Sequence, residues 1–393
     1  MQSDFPVAIV GGGPAGASAA LLASAGKRVV LFDEKLAWEK PCGGGITHKA
    51  LEHWPFLADA NVERNWIREC QLISSSGRRV SLPLQQPVAI FSRRVLNGLL
   101  LDRARGAGAE IIQSRVTAIE NDRDHWRIHS SEPSYEVSFV ILAGGARNIL
   151  RKQFSQPFAP DDLMVTAGYY VPGHSDVMKI EFLKDLHGYV WIFPRADHLS
   201  AGICGKMQNG RTTQLRQRLE NSLHAMGVNC EGARFYSHIL PSLRASTLRE
   251  APICGRGWAI IGDAAGFVDP MTGEGLYYAM RSAELLAQAF LAGQPQSYRN
   301  LIVEDFLPEL ELASVMADRF YDGRWMGEPV IERMLQFVRN SPSFRTLMSD
   351  LFAGTQVYRD LRRRLYFTLP AILTESLVAA LHFPNIEKET RAA

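Results

Sequence analysis

The sequence predicts an α/β protein with three parts: a domain built on a parallel sheet, an inserted domain with an antiparallel sheet, and a helical C-terminal region. The chain opens with a strand, a glycine-rich turn, a helix and a second strand. Short strands alternate with turns over residues 165–250, and helical patterns dominate from about residue 296 onward. We place the first domain at 1–75, 90–160 and 245–295, the inserted domain at 76–89 and 161–244, and the helical region at 296–393.

The composition is that of an ordinary globular protein. Its 393 residues are 46% hydrophobic, and 43 Lys and Arg residues against 41 Asp and Glu residues leave a net charge of +2. A chain of this length has room for two or three domains, and so small a net charge does not favour a nucleic-acid partner. The five cysteines are scattered and form no CxxC pair, so we expect neither a disulfide framework nor a metal site.

Both ends of the sequence bear on where the protein acts. Near the N-terminus no secretory signal pattern precedes the first apolar strand, so we expect a cytoplasmic protein. Near the other end, an apolar run at 365–383 follows the arginine cluster 362–364. Pro370 and Glu375 interrupt the run and favour a packed or interfacial helix over a transmembrane one, which leaves room for peripheral contact with the inner face of a membrane.

The opening βαβ unit carries the strongest motif in the sequence. A GxGxxG pattern follows the first strand at 5–10, and an acidic residue follows the second strand at 28–32. This combination is typical of a Rossmann-like dinucleotide site, because the glycines let the backbone approach a pyrophosphate and the acid accepts hydrogen bonds from ribose hydroxyls. From this unit we expect the following residues at the cofactor: Gly11, Gly13, Ala15, Gly16, Asp33 and Glu34.

Three segments together resemble the flavoproteins of the p-hydroxybenzoate hydroxylase type. They are the βαβ unit that ends at Asp33, the pair Gly262 and Asp263, and the RxxLNxxL pattern that begins at Arg93. The resemblance implies a Rossmann-like FAD-binding domain with FAD as the cofactor. It also implies that the Asp263 carboxylate binds the ribityl hydroxyls and that Arg93 binds the pyrophosphate or steadies the flavin chain.

Two further segments resemble the geranylgeranyl reductase family of FAD-dependent oxidoreductases, whose members carry a CGG turn and a YxWxFP motif. The turn is matched by Cys42, Gly43 and Gly44, and the motif by residues 189–194. The resemblance covers residues 5 to about 295 and implies that Cys42 lies near the flavin, where a thiol can donate a proton or tune the ring. Judged from the sequence alone, a buried and inert cysteine fits this position as well.

The resemblance also gives roles to a loop and to a strand. In the loop at 270–275, Gly273 and Gly275 would permit contact with the flavin ring, and the helix that follows would stabilise negative charge on it. In the strand, Tyr189 and Trp191 alternate with Phe193 and therefore share one face. Such a face could form an aromatic wall over an apolar substrate, although an ordinary β-core has the same pattern.

One position departs from the aromatic hydroxylases of this fold, which carry an Asp-Gly motif where this chain has AGGAR at 143–147. Gly144 takes the place of the carboxylate, although we still expect it beside the cofactor. The missing carboxylate disfavours direct docking of NADPH. The electron donor, whether NADPH, ferredoxin or another, therefore stays open.

The resemblance implies a reductase that saturates carbon–carbon double bonds of a geranylgeranyl-like prenyl chain or another apolar polyene. The residues expected to act on the substrate are Cys42, Tyr189, Trp191 and Glu274; all but Trp191 are candidate acids. Two alternatives remain open: a flavin-dependent monooxygenase or halogenase, which shares the fold, and a non-catalytic flavin electron-relay protein.

Overall fold

A computed structural model describes residues 5–122, 125–206, 214–325 and 327–382. Its strands follow one another along the chain as β1 (Val7–Val10), β2 (Val29–Phe32), β3 (Gly45–Ile46), β4 (Asn65–Ile73), β5 (Arg79–Ile90), β6 (Glu110–Ile112), β7 (Ala118–Asp122), β8 (His125–His129), β9 (Tyr135–Val137), β10 (Phe139–Leu142), β11 (Leu163–Val171), β12 (Val177–Glu181), β13 (Gly188–Pro194), β14 (Leu199–Lys206), β15 (Arg234–Pro241), β16 (Cys254–Gly255), β17 (Trp258–Ile260), β18 (Arg324–Trp325) and β19 (Glu328–Pro329).

The α-helices begin directly after the glycine turn that follows β1. They are α1 (Pro14–Ala19), α2 (His48–His53), α3 (Phe56–Asp59), α4 (Arg93–Gly106), α5 (Leu215–Ala225), α6 (Ala245–Glu250), α7 (Leu276–Leu291), α8 (Tyr298–Asp305), α9 (Leu307–Tyr321), α10 (Val330–Asn340), α11 (Pro342–Ala353) and α12 (Tyr358–His382). A 3-10 helix, Ala20–Ala25, continues directly from α1 and ends at Gly26 in the left-handed conformation.

The predicted parallel sheet contains both strands of the opening βαβ unit. Strands β17, β10, β1, β2 and β6 run parallel in that order, and β16 adds an antiparallel edge. β1, β2 and β10 are runs of apolar residues that are buried throughout, as strands with both faces covered require. Helix α1 packs on both α4 and α7 beside this sheet.

The second large sheet has eight strands in the order β15, β11, β14, β13, β12, β4, β5 and β3. Its pairs are antiparallel, as predicted, apart from the parallel pair of β12 and β4. One detail differs from the predicted division, which places residues 65–75 in the first domain: β4 belongs to this second sheet. A tight turn from Ser74 to Gly77 joins β4 to β5 as a hairpin, so the two strands share a sheet.

The C-terminal region is helical, as the sequence predicts, apart from the short β18–β19 hairpin. Helices α10 and α11 pack on β5, and α12 packs on α9, α10 and α11. Residues from both sides form one buried core, including Ile67, Leu82, Met178, Leu335, Val338 and Leu347. This region therefore covers the second sheet. None of the helices in the described part of the chain has both the length and the apolar character that a membrane span requires.

Candidate cofactor and substrate site

A cavity of about 570 Å³ is lined by residues of the first domain, the eight-stranded sheet and the C-terminal helices. It brings together most of the residues predicted to form the site: Gly11, Gly13, Ala15, Asp33, Cys42, Gly43, Gly44, Arg93, Gly144, Tyr189, Trp191, Asp263, Gly273, Glu274 and Gly275. Gly16, Glu34 and Gly262 do not line it. Glu34 is exposed, whereas Gly16 and Gly262 lie at close contacts between α1 and its neighbours.

The glycines of the turn after β1 have different roles. Gly11 has φ +112°, and a Cβ there would lie 2.5 Å from the carbonyl oxygen of Ala143. A Cβ on Gly16 would lie 1.8 Å from the carbonyl oxygen of Gly11, so both positions require glycine for packing. A Cβ on Gly13, in contrast, would meet nothing within 4 Å, and Gly13 lines the cavity. The turn therefore offers bare backbone to a ligand at Gly13.

Asp33 organises the same end of the cavity. Its Oδ2 accepts a hydrogen bond from the backbone N–H of Gly12 at 2.7 Å. Its Oδ1 accepts hydrogen bonds from the backbone N–H groups of Lys35 at 2.8 Å and Leu36 at 2.6 Å. The carboxylate thus ties the end of β2 to the glycine turn, and it retains lone pairs for a ribose hydroxyl.

Asp263 lies in a cationic part of the cavity. Lys40 Nζ donates a hydrogen bond to Asp263 Oδ2 at 3.0 Å. Burial alone would raise the pKa of Asp263, but Lys40, with Arg93 nearby, holds it below its usual range. Burial and Lys40 together lower the pKa of His238 to about 3, so this imidazole is neutral. Asp263 is therefore an ionised acceptor at neutral pH.

Arg93 is the first residue of α4 and is only 2% exposed. Its Nη2 donates to Asn97 Oδ1 at 3.4 Å, but its buried Nε has no partner among the described residues. His238 also lines the cavity, and its buried Nε2 likewise has no partner among the described residues. Buried polar atoms of this kind are costly unless a ligand or water satisfies them.

Glu39 and Arg195 form a buried ion pair behind the cavity, with Arg195 fully buried. Arg195 Nη2 also donates to the carbonyl oxygen of Cys42 at 2.5 Å. Glu39 accepts hydrogen bonds from the Ser92 hydroxyl and from the backbone N–H of Arg93, at the start of α4. Burial would raise the pKa of Glu39, but Arg195 and these donors hold it below its usual range. The pair therefore connects the CGG turn, α4 and the second sheet.

The loop at 270–275 is held from two directions. Asp269 Oδ1 accepts hydrogen bonds from the backbone N–H groups of Met271 and Thr272, and its Oδ2 accepts one from the Tyr358 hydroxyl at 2.8 Å. From the second sheet, the Tyr189 hydroxyl donates to the Thr272 carbonyl at 2.5 Å. The loop therefore depends on the C-terminal region as well as on β13.

Glu274 sits within this loop and lines the cavity. Burial raises its pKa to about 7, and the neighbouring Asp269 carboxylate contributes in the same direction. The Thr47 hydroxyl donates to Glu274 Oε1 at 3.1 Å, which opposes the rise. A carboxyl group with a pKa near neutrality can exchange a proton in either direction.

The aromatic residues of β13 share the face that lines the cavity, as their alternation predicts: Tyr189, Trp191 and Phe193 lie there. Val190 and Ile192, on the opposite face, belong to a separate core. Burial raises the pKa of Tyr189 well above its usual value, and its hydroxyl is engaged with the loop. Tyr189 is therefore a better loop anchor than proton donor.

Cys42 lines the cavity beside this wall. Its Sγ accepts a hydrogen bond from the backbone N–H of Gly44 at 3.3 Å, and its carbonyl oxygen also accepts one from the Ser200 hydroxyl at 2.9 Å. The side chain is half-buried. It is thus a fixed thiol at the cavity wall.

The remainder of the cavity is apolar. Its walls come from β4, β5, β12 and the helices α9 to α12, and include Leu72, Val88, Met178, Ile180, Phe182, Met316, Phe320, Met334, Phe344, Leu347, Met348, Leu351, Phe352, Leu361 and Leu365. The helices that supply most of these residues were not predicted to line the site. Their apolar faces resemble an ordinary core, and only the tertiary structure leaves space beside them.

Sequence reasoning also missed the charged residues that position the site. Lys40 and Glu39 directly precede the PCGGG segment, and Arg195 directly follows the GYVWIFP segment. Their position directly beside these two motifs was the sequence feature that could have indicated a role at the site. Within the described ranges, no group of three or more His, Cys, Asp or Glu side chains is arranged to hold a metal ion.

Comparisons with known proteins bear on the family and the fold of this chain. The model of the FAD binding domain family matches residues 4–294. A geranylgeranyl diphosphate reductase of Synechocystis sp. is 30% identical over 317 residues, which cover 73% of this chain and 75% of that protein. Two solved structures share the fold at 19% identity each.

The first of these is a geranylgeranyl bacteriochlorophyll reductase-like protein from Thermoplasma acidophilum, with a TM-score of 0.75 over 92% of this chain and 98% of that one. The second is a flavin-dependent brominase, with a TM-score of 0.67 over 89% of this chain and 93% of that one. At such identities the two structures support the fold alone.

FAD is the cofactor of this protein, and the residues present fit it. The open backbone at Gly13 and the unsatisfied Nε of Arg93 suit an anionic pyrophosphate, and the ionised Asp263 suits hydroxyl donors of the ribityl chain. The loop at Gly273–Gly275 would border the ring. These residues line one continuous cavity with the apolar walls.

Proposed function

The chain belongs to the geranylgeranyl reductase family of FAD-dependent oxidoreductases, and on this premise we propose that it reduces carbon–carbon double bonds of a prenyl chain. The proposal extends to geranylgeranyl-like chains and other apolar polyenes of similar width. It rests on one observation above all: the cavity lined by the residues expected to bind FAD continues between apolar walls from the second sheet and the C-terminal helices.

The apolar walls suit a prenyl chain because burial of its methylene and methyl groups is favourable at about 0.8 kcal/mol per CH₂. They also exclude water from the reacting double bond, which strengthens electrostatic interactions there. An electron-relay protein has no need for such a cavity. The relative from Synechocystis, whose name specifies geranylgeranyl diphosphate, supports the same class of substrate.

Reduced FAD would supply the hydride for one alkene carbon and would thereby become oxidised. The chain must then hold the alkene still and deliver a proton to the other carbon. We propose Glu274 as the proton donor, because its pKa of about 7 leaves a protonated fraction at neutral pH and it lines the cavity. Cys42 remains the second candidate, and Tyr189 is proposed to position the loop.

The test is anaerobic incubation of the purified holoprotein, reduced with dithionite, with geranylgeranyl diphosphate. Mass spectrometry should detect products heavier by two hydrogens per reduced bond, together with reoxidation of the flavin spectrum. No mass increase under these conditions, with a shorter and a longer prenyl substrate also unchanged, would refute the proposal. An oxygen-dependent product with bromide or an aromatic substrate would instead favour the monooxygenase or halogenase alternative.

A further inference from the structure

Helix α12 exposes a broad apolar surface on the outside of the protein. Tyr366 is 75% exposed, Phe367 is 70% exposed and Leu381 is 71% exposed. Other large apolar side chains exposed on the same helix include Leu369, Leu373 and Leu377. Large side chains of this kind are normally covered by a partner or by lipid when they occur together.

Four of these exposed side chains lie close together around the helix axis. At 100° per residue, Tyr366, Leu369, Leu373 and Leu377 lie within about 60° of Arg362 around the helix axis. A neighbouring side of α12, about 80–100° from Arg362 at the same 100° per residue, is packed: Leu361 is 6% exposed and Ile372 is 1% exposed. The exposed face is therefore a continuous stripe.

The charges on α12 are distributed unequally between the two sides. Arg362 and Arg363 are exposed and make no ion pair among the described residues, whereas Arg364 pairs with Asp350 at 2.6 Å. Glu375, the acidic residue within the apolar run, is turned inward, where it accepts hydrogen bonds from the hydroxyls of Ser341 and Ser343. The exposed stripe thus combines apolar side chains with unpaired positive charge, which favours an anionic lipid surface over another copy of the same cationic stripe.

The inner face of α12 forms part of the substrate cavity. Leu361 and Leu365 line the cavity, one turn or less from the exposed Arg362 and Tyr366. One helix therefore separates the apolar cavity from the apolar outer surface. A prenyl lipid would have only a short path from a bilayer at α12 to the cavity.

We propose that the exposed face of α12 docks on an anionic lipid bilayer and that the prenyl substrate passes from this bilayer into the cavity. The docking step stands on the surface of α12 alone, whereas the transfer step rests on the proposed function. The contact is peripheral, because α12 does not meet the requirements of a membrane span.

The experiment is cosedimentation of the full-length holoprotein with vesicles of phosphatidylcholine alone or mixed with phosphatidylglycerol, at low and high salt. We expect binding to the mixed vesicles that weakens at high salt. The variant R362A/R363A should bind about 30-fold less well, equivalent to about 1 kcal/mol per arginine. The variant Y366S/F367S should lose binding at both salt concentrations.

The control variant R115A/R234A removes two exposed arginines outside α12 and should bind as the unchanged protein does. Equal binding by R362A/R363A and this control would overturn the proposal. The proposal would also be overturned if the protein formed a concentration-dependent dimer that does not bind vesicles and that Y366S/F367S disrupts.

Reduction of detergent-dispersed geranylgeranyl diphosphate by the same variants separates the two proposals. Unchanged reduction in detergent with slower reduction of vesicle-borne substrate supports docking and transfer. Reduction without vesicle binding would overturn docking alone, whereas vesicle binding without any reduction would overturn the proposed function and leave docking intact.

Discussion

Replacement of Glu39 by glutamine should destabilise the whole cofactor site, although Glu39 does not line the cavity. Its Oε1 accepts from Arg195 and from the backbone N–H of Arg93, and its Oε2 accepts from the Ser92 hydroxyl and the backbone N–H of Arg94. A glutamine offers one carbonyl oxygen in place of two carboxylate oxygens. In either orientation, the NH₂ group of the glutamine would face hydrogen-bond donors in place of acceptors. Of these groups only the Ser92 hydroxyl could accept a hydrogen bond from it.

The expected magnitude follows from burial. Arg195 has an exposure of 0% and Glu39 of 19%, so loss of the carboxylate charge leaves a buried guanidinium without its counter-ion. Loss of one partner of such a pair costs about 3–5 kcal/mol. The chain offers a matched control in the pair Arg105 and Asp102, whose side chains are 50% and 74% exposed. Asp102→Asn should cost less than about 1 kcal/mol.

The assay is urea unfolding of the holoprotein, followed by circular dichroism and by the rise in fluorescence as FAD is released. Glu39→Gln should shift both transitions to lower urea, with FAD release shifted further, because the pair connects the CGG turn to α4. Equal midpoints for Glu39→Gln and Asp102→Asn would refute the assignment of this pair as the support of the site.

The pH dependence of this difference supplies a second check. The pKa of Glu39 is lowered in the folded protein, so its stabilising effect is complete above the ordinary glutamate pKa of about 4.3. It is lost as the pH falls through the lower folded value. The gap between the unchanged protein and Glu39→Gln should therefore be constant near neutrality and should narrow below about pH 4.

Four further predictions concern residues of the cavity itself. Asp263→Ala should weaken FAD binding by about tenfold to a hundredfold, measured by equilibrium dialysis, since a charge-assisted hydrogen bond is worth about 1.5–3 kcal/mol; an unchanged dissociation constant would contradict the ribityl role. In the unchanged protein we expect turnover to decline as the pH rises through about 7, where Glu274 loses its proton. Glu274→Gln should slow reduction and abolish this decline; a retained decline would point to another acid. Trp191→Ala should weaken the binding of long prenyl substrates more than that of short ones, whereas Cys42→Ser should alter turnover or product distribution with FAD retained. If Trp191→Ala acts equally at every chain length and Cys42→Ser leaves the products unchanged, neither residue belongs to the site.

Much of the fold was predictable because local patterns determine it. The runs at β1 and β2, with the glycine turn between them, specify a βαβ unit, and Gly16 is required by a contact within that unit, with the carbonyl oxygen of Gly11. The alternation of Tyr189, Trp191 and Phe193 likewise determined which side chains share a face. Residues 65–75 were placed with the first domain, whereas the strand at 65–73 pairs with β5 and β12 of the second sheet, partners that its local sequence does not specify.

The shape and charge of the site were decided by the tertiary structure. The sequence predicted Asp263 and Glu274 as site residues, but contacts made in the folded chain determine their protonation. Lys40, 223 positions from Asp263, lowers the pKa of Asp263, whereas burial, with the Asp269 carboxylate nearby, raises that of Glu274. The C-terminal helices carry apolar stripes that fit a packed core, a membrane surface or a substrate wall equally well. Only their placement over the second sheet leaves a cavity on the inner side of α12 and an uncovered apolar stripe on the outer side. Periodicity specifies which side chains share a face, whereas long-range packing determines what that face meets.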